Sequence, residues 1–117
     1  DAIMFPDSAL RLRQDSVDAA SGLRNTGELS RALFAAGLLR YRFRSPGRLT
    51  MPVLVLGGRL DGAAGGPPLE ALARSLPDAR FVEYERGGHF PYLEEPDRFA
   101  RDAIAFLSAP AGGRRTR

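Results

Sequence analysis

Two short apolar runs, and the glycine-rich breaks behind them, organise this chain. Val53-Leu54-Val55-Leu56 is apolar at every position and is followed by Gly57-Gly58. A strand exposed on one side alternates in polarity, whereas an unbroken apolar run suits a strand buried on both faces of a parallel sheet. Pro52 stands at its start, where a missing amide costs no central ladder bond. Arg80-Phe81-Val82-Glu83-Tyr84 reads as a second strand. Between them Gly65-Gly66-Pro67-Pro68 opens a helix that runs to Leu76, with Leu69, Leu72, Ala73 and Leu76 as its apolar stripe and Pro77-Asp78 as its stop. Strand, helix and strand over about 35 residues make a βαβ unit, whose right-handed crossover sets the strands parallel. Glu95-Pro96 starts a last helix carrying Phe99, Ala103, Ile104, Phe106 and Leu107.

Ahead of Met51 the periodicity is helical and looser. Asp7 or Ser8 is placed to cap a helix with Leu10, Leu12 and Val17 on its apolar side. Ser21-Gly22 and Asn25-Thr26-Gly27 interrupt it, and a second helix is expected from Glu28 to about Leu39, with Leu29, Leu33, Phe34 and Leu38 on one side. Arg40 to Arg44 alternate, as an extended segment or a helix end, and Ser45-Pro46-Gly47 is a break. Residues 109–117 lack apolar periodicity and are expected to be disordered. Two strands alone do not make a stable sheet covered on both faces. The chain therefore calls for neighbouring strands from elsewhere.

Composition narrows the function more than the fold. The 117 residues, 44% hydrophobic and 26% charged, suit one small globular domain. There is no cysteine, which excludes disulfides and thiolate chemistry. All 17 basic residues are arginine, but the net charge is only +3 and acids such as Asp15, Asp18, Glu28, Asp78 and Asp97 interrupt any basic field. No basic stripe or aromatic-basic platform marks a nucleic-acid binder. No apolar run approaches the roughly 20 residues of a membrane span. The first residues lack the pattern of a signal peptide, so a cytoplasmic location is favoured, although the sequence names no compartment. The absence of an initiator methionine is read as placing Asp1 inside a longer product.

The candidate chemistry lies behind the two strands. Asp61 follows Gly57-Gly58-Arg59-Leu60, and His89, the only histidine, follows Gly87-Gly88. Asp61-Gly62 on its own is an ordinary turn pair. A lone histidine is more often a loop or satisfied core residue. Taken together, both leave the same end of adjacent parallel strands, the edge where α/β sheets build sites. A carboxylate on one ring nitrogen fixes the tautomer and stabilises the imidazolium formed at the other. Glu94 and Glu95 read as carboxylates favoured by a helix N-terminus rather than as an acid-base pair. Phe90, Pro91 and Tyr92 either line a pocket or pack the loop. One histidine and no cysteine leave no metal-ligand spacing, and no cofactor-binding glycine motif or phosphate loop is present.

The run Met51 to Asp61, then Leu76-Pro77-Asp78-Ala79-Arg80, then Gly87-Gly88-His89-Phe90-Pro91-Tyr92-Leu93-Glu94-Glu95-Pro96-Asp97-Arg98-Phe99, resembles the carboxyl-terminal part of an α/β-hydrolase fold protein. In that superfamily the nucleophile precedes the acid and the acid precedes the histidine. The resemblance implies an open, mostly parallel α/β sheet whose end is residues 50–108, with residues 1–49 as part of a helical cap. It implies Asp61 as triad acid, His89 as general base and Phe90 as a substrate contact. Ester or amide hydrolysis by a serine-type triad follows, similar to esterase-like and proline iminopeptidase-like members, with a lean towards peptidase or amidase. No Gly-x-Ser-x-Gly elbow occurs, and none of Ser8, Ser16, Ser21, Ser30, Ser45, Ser75 and Ser108 sits in one. The nucleophile is thus expected on a complementary upstream chain or segment, the substrate being a small molecule or peptide. An aspartate nucleophile, as in dehalogenases and epoxide hydrolases, and a non-catalytic binding protein on the same scaffold are the alternatives. Phe34, Leu38, Leu39, Tyr41 and Phe43 would then shield an apolar substrate or, as the more ordinary reading, form core between cap helices. The arginines at 40, 42, 44 and 48 are expected to face solvent.

Overall fold

A computed structural model describes residues 4–22 and 26–110. The elements are α1 (Ser8–Ser21), α2 (Thr26–Ala35), two 3-10 turns (Leu38–Arg40 and Pro46–Arg48), β1 (Val53–Gly58), α3 (Pro67–Ser75), β2 (Ala79–Tyr84), α4 (Pro91–Glu94) and α5 (Pro96–Ser108). Residues 111–117 of the expected tail lie outside the described residues.

β1 and β2 pair in parallel, in register from Val53 opposite Ala79 to Gly58 opposite Tyr84. The Val53 amide, at the start of the ladder, donates to the Asp78 carbonyl at 2.8 Å. α3 crosses one face, and Val55, Ala73 and Leu76 are buried between them with Leu49, Val53, Leu69, Ala79 and Phe81 packed around. The apolar stripe of α3 therefore meets the apolar run of β1, the burial that drives a βαβ unit together. α5 is held to β2 by polar contacts. The fully buried Tyr84 donates its hydroxyl to Asp102 at 2.8 Å, and the Arg98 guanidinium lies 4.1 Å from the centre of its ring. Burial and the Asp102 charge push the Tyr84 phenol up to about 12, so it stays a donor.

Gly57 and Gly58 do not close β1 but are its last two residues. The reason is space. A Cβ on Gly57 would run into the Leu69 side chain, and one on Gly58 would run into the carbonyls of Gly87 and Gly88. The strand end and the following loops approach backbone to backbone. Gly58→Ala is expected to lower stability by about 1–3 kcal/mol, the range for overpacking a tight interior. Denaturant melts of the two proteins measure this. An unchanged midpoint would show that the loops yield freely.

The first helix follows expectation at both ends. Asp7 caps it, accepting from the amides of Ala9 at 2.8 Å and Leu10 at 3.1 Å, and Gly22 ends it in the left-handed region at φ 69°. The second helix is shorter than its apolar pattern. It ends at Ala35, because Gly37 turns to φ 89° and the chain continues as a 3-10 turn. Phe34, Leu38, Leu39, Tyr41 and Phe43 are all exposed, so the expected core between these helices is not formed by them. The arginines at 40, 42, 44 and 48 do face solvent, and Arg42 also donates to the Tyr41 carbonyl at 2.9 Å. Among the described residues no helix is long and apolar enough to cross a membrane.

Candidate active site

Both candidate residues sit at the carboxyl ends of the two paired strands. Beyond β1 the Arg59 amide donates to the Tyr84 carbonyl at 2.9 Å and the Leu60 amide to the Gly87 carbonyl at 3.0 Å. These bonds carry the parallel ladder one step past its last formal pair, and so bring the two loops side by side. Arg59 adds an ion pair to Glu83 at 2.7 Å.

Asp61 Oδ2 then meets His89 Nδ1 at 2.9 Å. Its other oxygen, Oδ1, accepts the amides of Ala63 at 2.8 Å and Ala64 at 3.2 Å. Asp61 therefore takes part in a turn and in a side-chain contact at once: one oxygen builds the turn and the other faces the imidazole. The Asp61 side chain is only 4% exposed, and that of His89 is 33% exposed. Burial alone would push the Asp61 carboxyl up. The hydrogen bonds from His89, Ala63 and Ala64, with the charge of His89, outweigh it and hold the group below its ordinary value of 3.8. An ionised Asp61 only accepts, so the proton of this contact is on Nδ1; whenever the ring is neutral, Nε2, on its far side, presents a lone pair.

The lowered Asp61 carboxyl has a consequence for stability. A folded-state value below the unfolded one means that its contribution is fully present above the unfolded value and is lost as pH falls through the folded value. The melting-temperature gap between the wild type and Asp61→Asn is therefore expected to be fully open above pH 3.8 and to narrow as the pH falls below it. A gap that widens with acid would contradict this.

The histidine loop is held from three sides. The His89 amide donates to the Met4 carbonyl at 2.8 Å. Phe90 stacks on the buried Phe5 with ring centres 4.8 Å apart, and the His89 ring meets Phe90 edge-on at 4.8 Å. Phe90 thus packs the loop, and Tyr92 reaches it edge-on at 6.0 Å. Glu94 lies beneath. Its Oε2 accepts from the amides of Gly88 at 2.8 Å and Phe90 at 3.2 Å. Among the described residues its Oε1 is buried without a hydrogen-bond partner, as is Glu95 Oε1. Burial pushes the Glu94 carboxyl up; the two amides oppose this, and the charges of Asp61 and Glu95 reinforce it. Glu94 is therefore not the solvated helix-end carboxylate that its place before Pro96 suggests. Pro91 starts the unforeseen helical turn α4, and that turn swings Glu94 back under the loop. The only advance signal was its spacing from His89, too generic to single it out.

An open cleft of about 700 Å³ is lined by Pro6, Leu10, Leu60, Arg86, Glu94 and Glu95, among others, but by neither Asp61 nor His89. It is not where the pair would act. Among the described residues no cluster of three or more acidic or histidine side chains could hold a metal.

No family model matches the chain. Over 99 residues, 85% of its length, the chain is 31% identical to a protein of Pseudomonas savastanoi pv. phaseolicola named as a carbamate hydrolase, RutD, and the match covers 38% of that protein. It is 34% identical over 58 residues, 50% of its length, to the pimeloyl-(acyl-carrier protein) methyl ester esterase of Vibrio vulnificus, covering 23% of it. To the Pectobacterium atrosepticum protein of the same name it is 34% identical over 61 residues, 52% of its length and 24% of that protein's. The chain belongs to the α/β-hydrolase fold superfamily. The parallel strand pair with its crossover helix is part of an α/β-hydrolase sheet. The matched stretch spans well under half the length of each of these α/β-hydrolase relatives.

Proposed function

We propose that this chain supplies the acid and the histidine of a serine-type α/β hydrolase cleaving an ester or amide. The nucleophile sits on an upstream segment that also provides the neighbouring strands. The carrying observation is the 2.9 Å contact between the buried Asp61 carboxylate and His89 Nδ1, in a ring one-third exposed. Nε2 removes the proton of the serine hydroxyl as its oxygen adds to the substrate carbonyl. The leaving alcohol or amine takes that proton as the acyl bond breaks. Water, deprotonated at the same nitrogen, then releases the acid and restores the serine. The names of the relatives, an ester hydrolase and a carbamate hydrolase, favour ester and carbamate carbonyls over amino-terminal peptides.

The outer edges of β1 and β2 are unpaired among the described residues. Leu12, Phe34, Leu39, Ile104 and Leu107 are exposed. Open edges and apolar faces of this kind support pairing with further strands and helices. Residues 1–49 are assigned to a cap over the site and 50–108 to the end of the core.

The test is labelling of the assembled protein with a fluorophosphonate, followed by peptide mapping. Label on a serine upstream of this chain, lost in His89→Ala, is expected. Label on one of this chain's own serines would overturn the assignment. A protein with an elbow serine that does not label would be a binding protein on the same scaffold, and one with aspartate there would hydrolyse through an alkyl ester.

A further inference from the structure

We propose that Glu94 is a positioning residue for His89, acting through the backbone on both sides of the histidine; this rests on the hydrolase reading above. Three consecutive amides, of Gly88, His89 and Phe90, each have a fixed acceptor. The first and third share one oxygen of Glu94, and the middle one has the Met4 carbonyl. A single carboxylate oxygen thus clamps the residues before and after the histidine. Gly88 is indispensable to the clamp, because a Cβ there would run into the Met4 carbonyl and the Pro6 ring and stand 2.8 Å from Glu94 Oε1. The clamp leaves the His89 backbone little freedom to rotate. The ring's direction towards Asp61 is then set by the loop as well as by the carboxylate that it meets.

The clamp is a matter of reach rather than charge. An amide oxygen at the same distance accepts the same two N–H groups, whereas a carboxylate shorter by one methylene cannot span to both. Glu94→Gln and Glu94→Asp separate the two, and both are conservative enough to keep the helical turn. In the assembled enzyme Glu94→Asp is expected to lower kcat by about a hundredfold, the size of effect seen when a catalytic group shifts by about 1 Å. KM should change by less than about threefold, because substrate binding is not the function lost. Glu94→Gln should stay within about threefold of wild type in both constants, since the reacting geometry is kept. The low-field NMR resonance of the His89 Nδ1 proton, assigned by its absence in His89→Ala, should persist in Glu94→Gln and be shifted or lost in Glu94→Asp. A structural filler would not divide the variants in this way.

Equal kcat and an unchanged proton resonance in Glu94→Asp would overturn the proposal, as would Glu94→Gln behaving like Glu94→Asp. The resonance reports on Glu94 even if the assembly hydrolyses nothing. Failure of the hydrolase reading would therefore appear as absent turnover with the resonance pattern intact.

Discussion

His89→Ala is expected to abolish turnover in the assembled enzyme, with kcat falling by about 10⁶-fold, the loss found when a triad member that works as part of a unit is removed. In the proposed mechanism the imidazole has two tasks, and no neighbour among the described residues can assume either. It would take the proton of the nucleophile and then return it to the leaving group. Asp61, the nearest titratable group, is 4% exposed, occupied on one oxygen by two amides, and acidic beyond its ordinary range, so it is a poor base. KM should change little, since the ring contributes to the transition state more than to binding. The measurement is kcat on an activated ester, with the rate of fluorophosphonate labelling as a second reading of nucleophile activation. A variant retaining more than about a tenth of wild-type kcat would remove His89 from the mechanism.

Asp61→Asn should lower kcat by about 10⁴-fold while leaving the fold in place. The argument follows from the hydrogen bonds at this site. Oδ1 accepts from the Ala63 and Ala64 amides, and an amide nitrogen cannot replace it there. The asparagine oxygen must stay on the turn, which directs its NH₂ group at His89 Nδ1. Two donors cannot face one another, so Nδ1 becomes the acceptor and the ring proton moves to Nε2. The nitrogen that should receive the nucleophile's proton is then already occupied. Nitrogen-15 spectra of His89 should show the exchange of tautomers, and activity should fall with it. Wild-type kcat in Asp61→Asn, or an Nδ1 still protonated in that variant, would end the assignment of Asp61 as the triad acid.

Much of this was legible in the residues. The unbroken apolar run of β1, the stripe of α3 and the glycine-flanked histidine define a βαβ unit, and the edge that carries Asp61 and His89, by local chemistry alone. Where local chemistry is ambiguous, the pattern misleads. Gly57 and Gly58 look like a terminator, because glycine is a turn residue, yet they extend the strand: Leu69 and the carbonyls of Gly87 and Gly88 lie too close for any side chain. The second helix looks long by periodicity, but Gly37 at positive φ cuts it. Glu94 looks like a surface carboxylate, because its two amide partners lie four and six residues back, across a helical turn that the apolar pattern does not announce.

By itself the sequence determined which residue types stand at the ends of which strands; its place among the α/β hydrolases came from likeness to other proteins. Strand periodicity, glycine placement and chain order are all properties of neighbours along the polymer. Only the tertiary structure decided that Asp61 divides its oxygens between a turn and an imidazole, and that Glu94 reaches beneath the histidine loop. Those facts depend on side-chain direction and on distances of about 3 Å between groups that the chain must fold back to bring together, the scale at which hydrogen bonds form or fail.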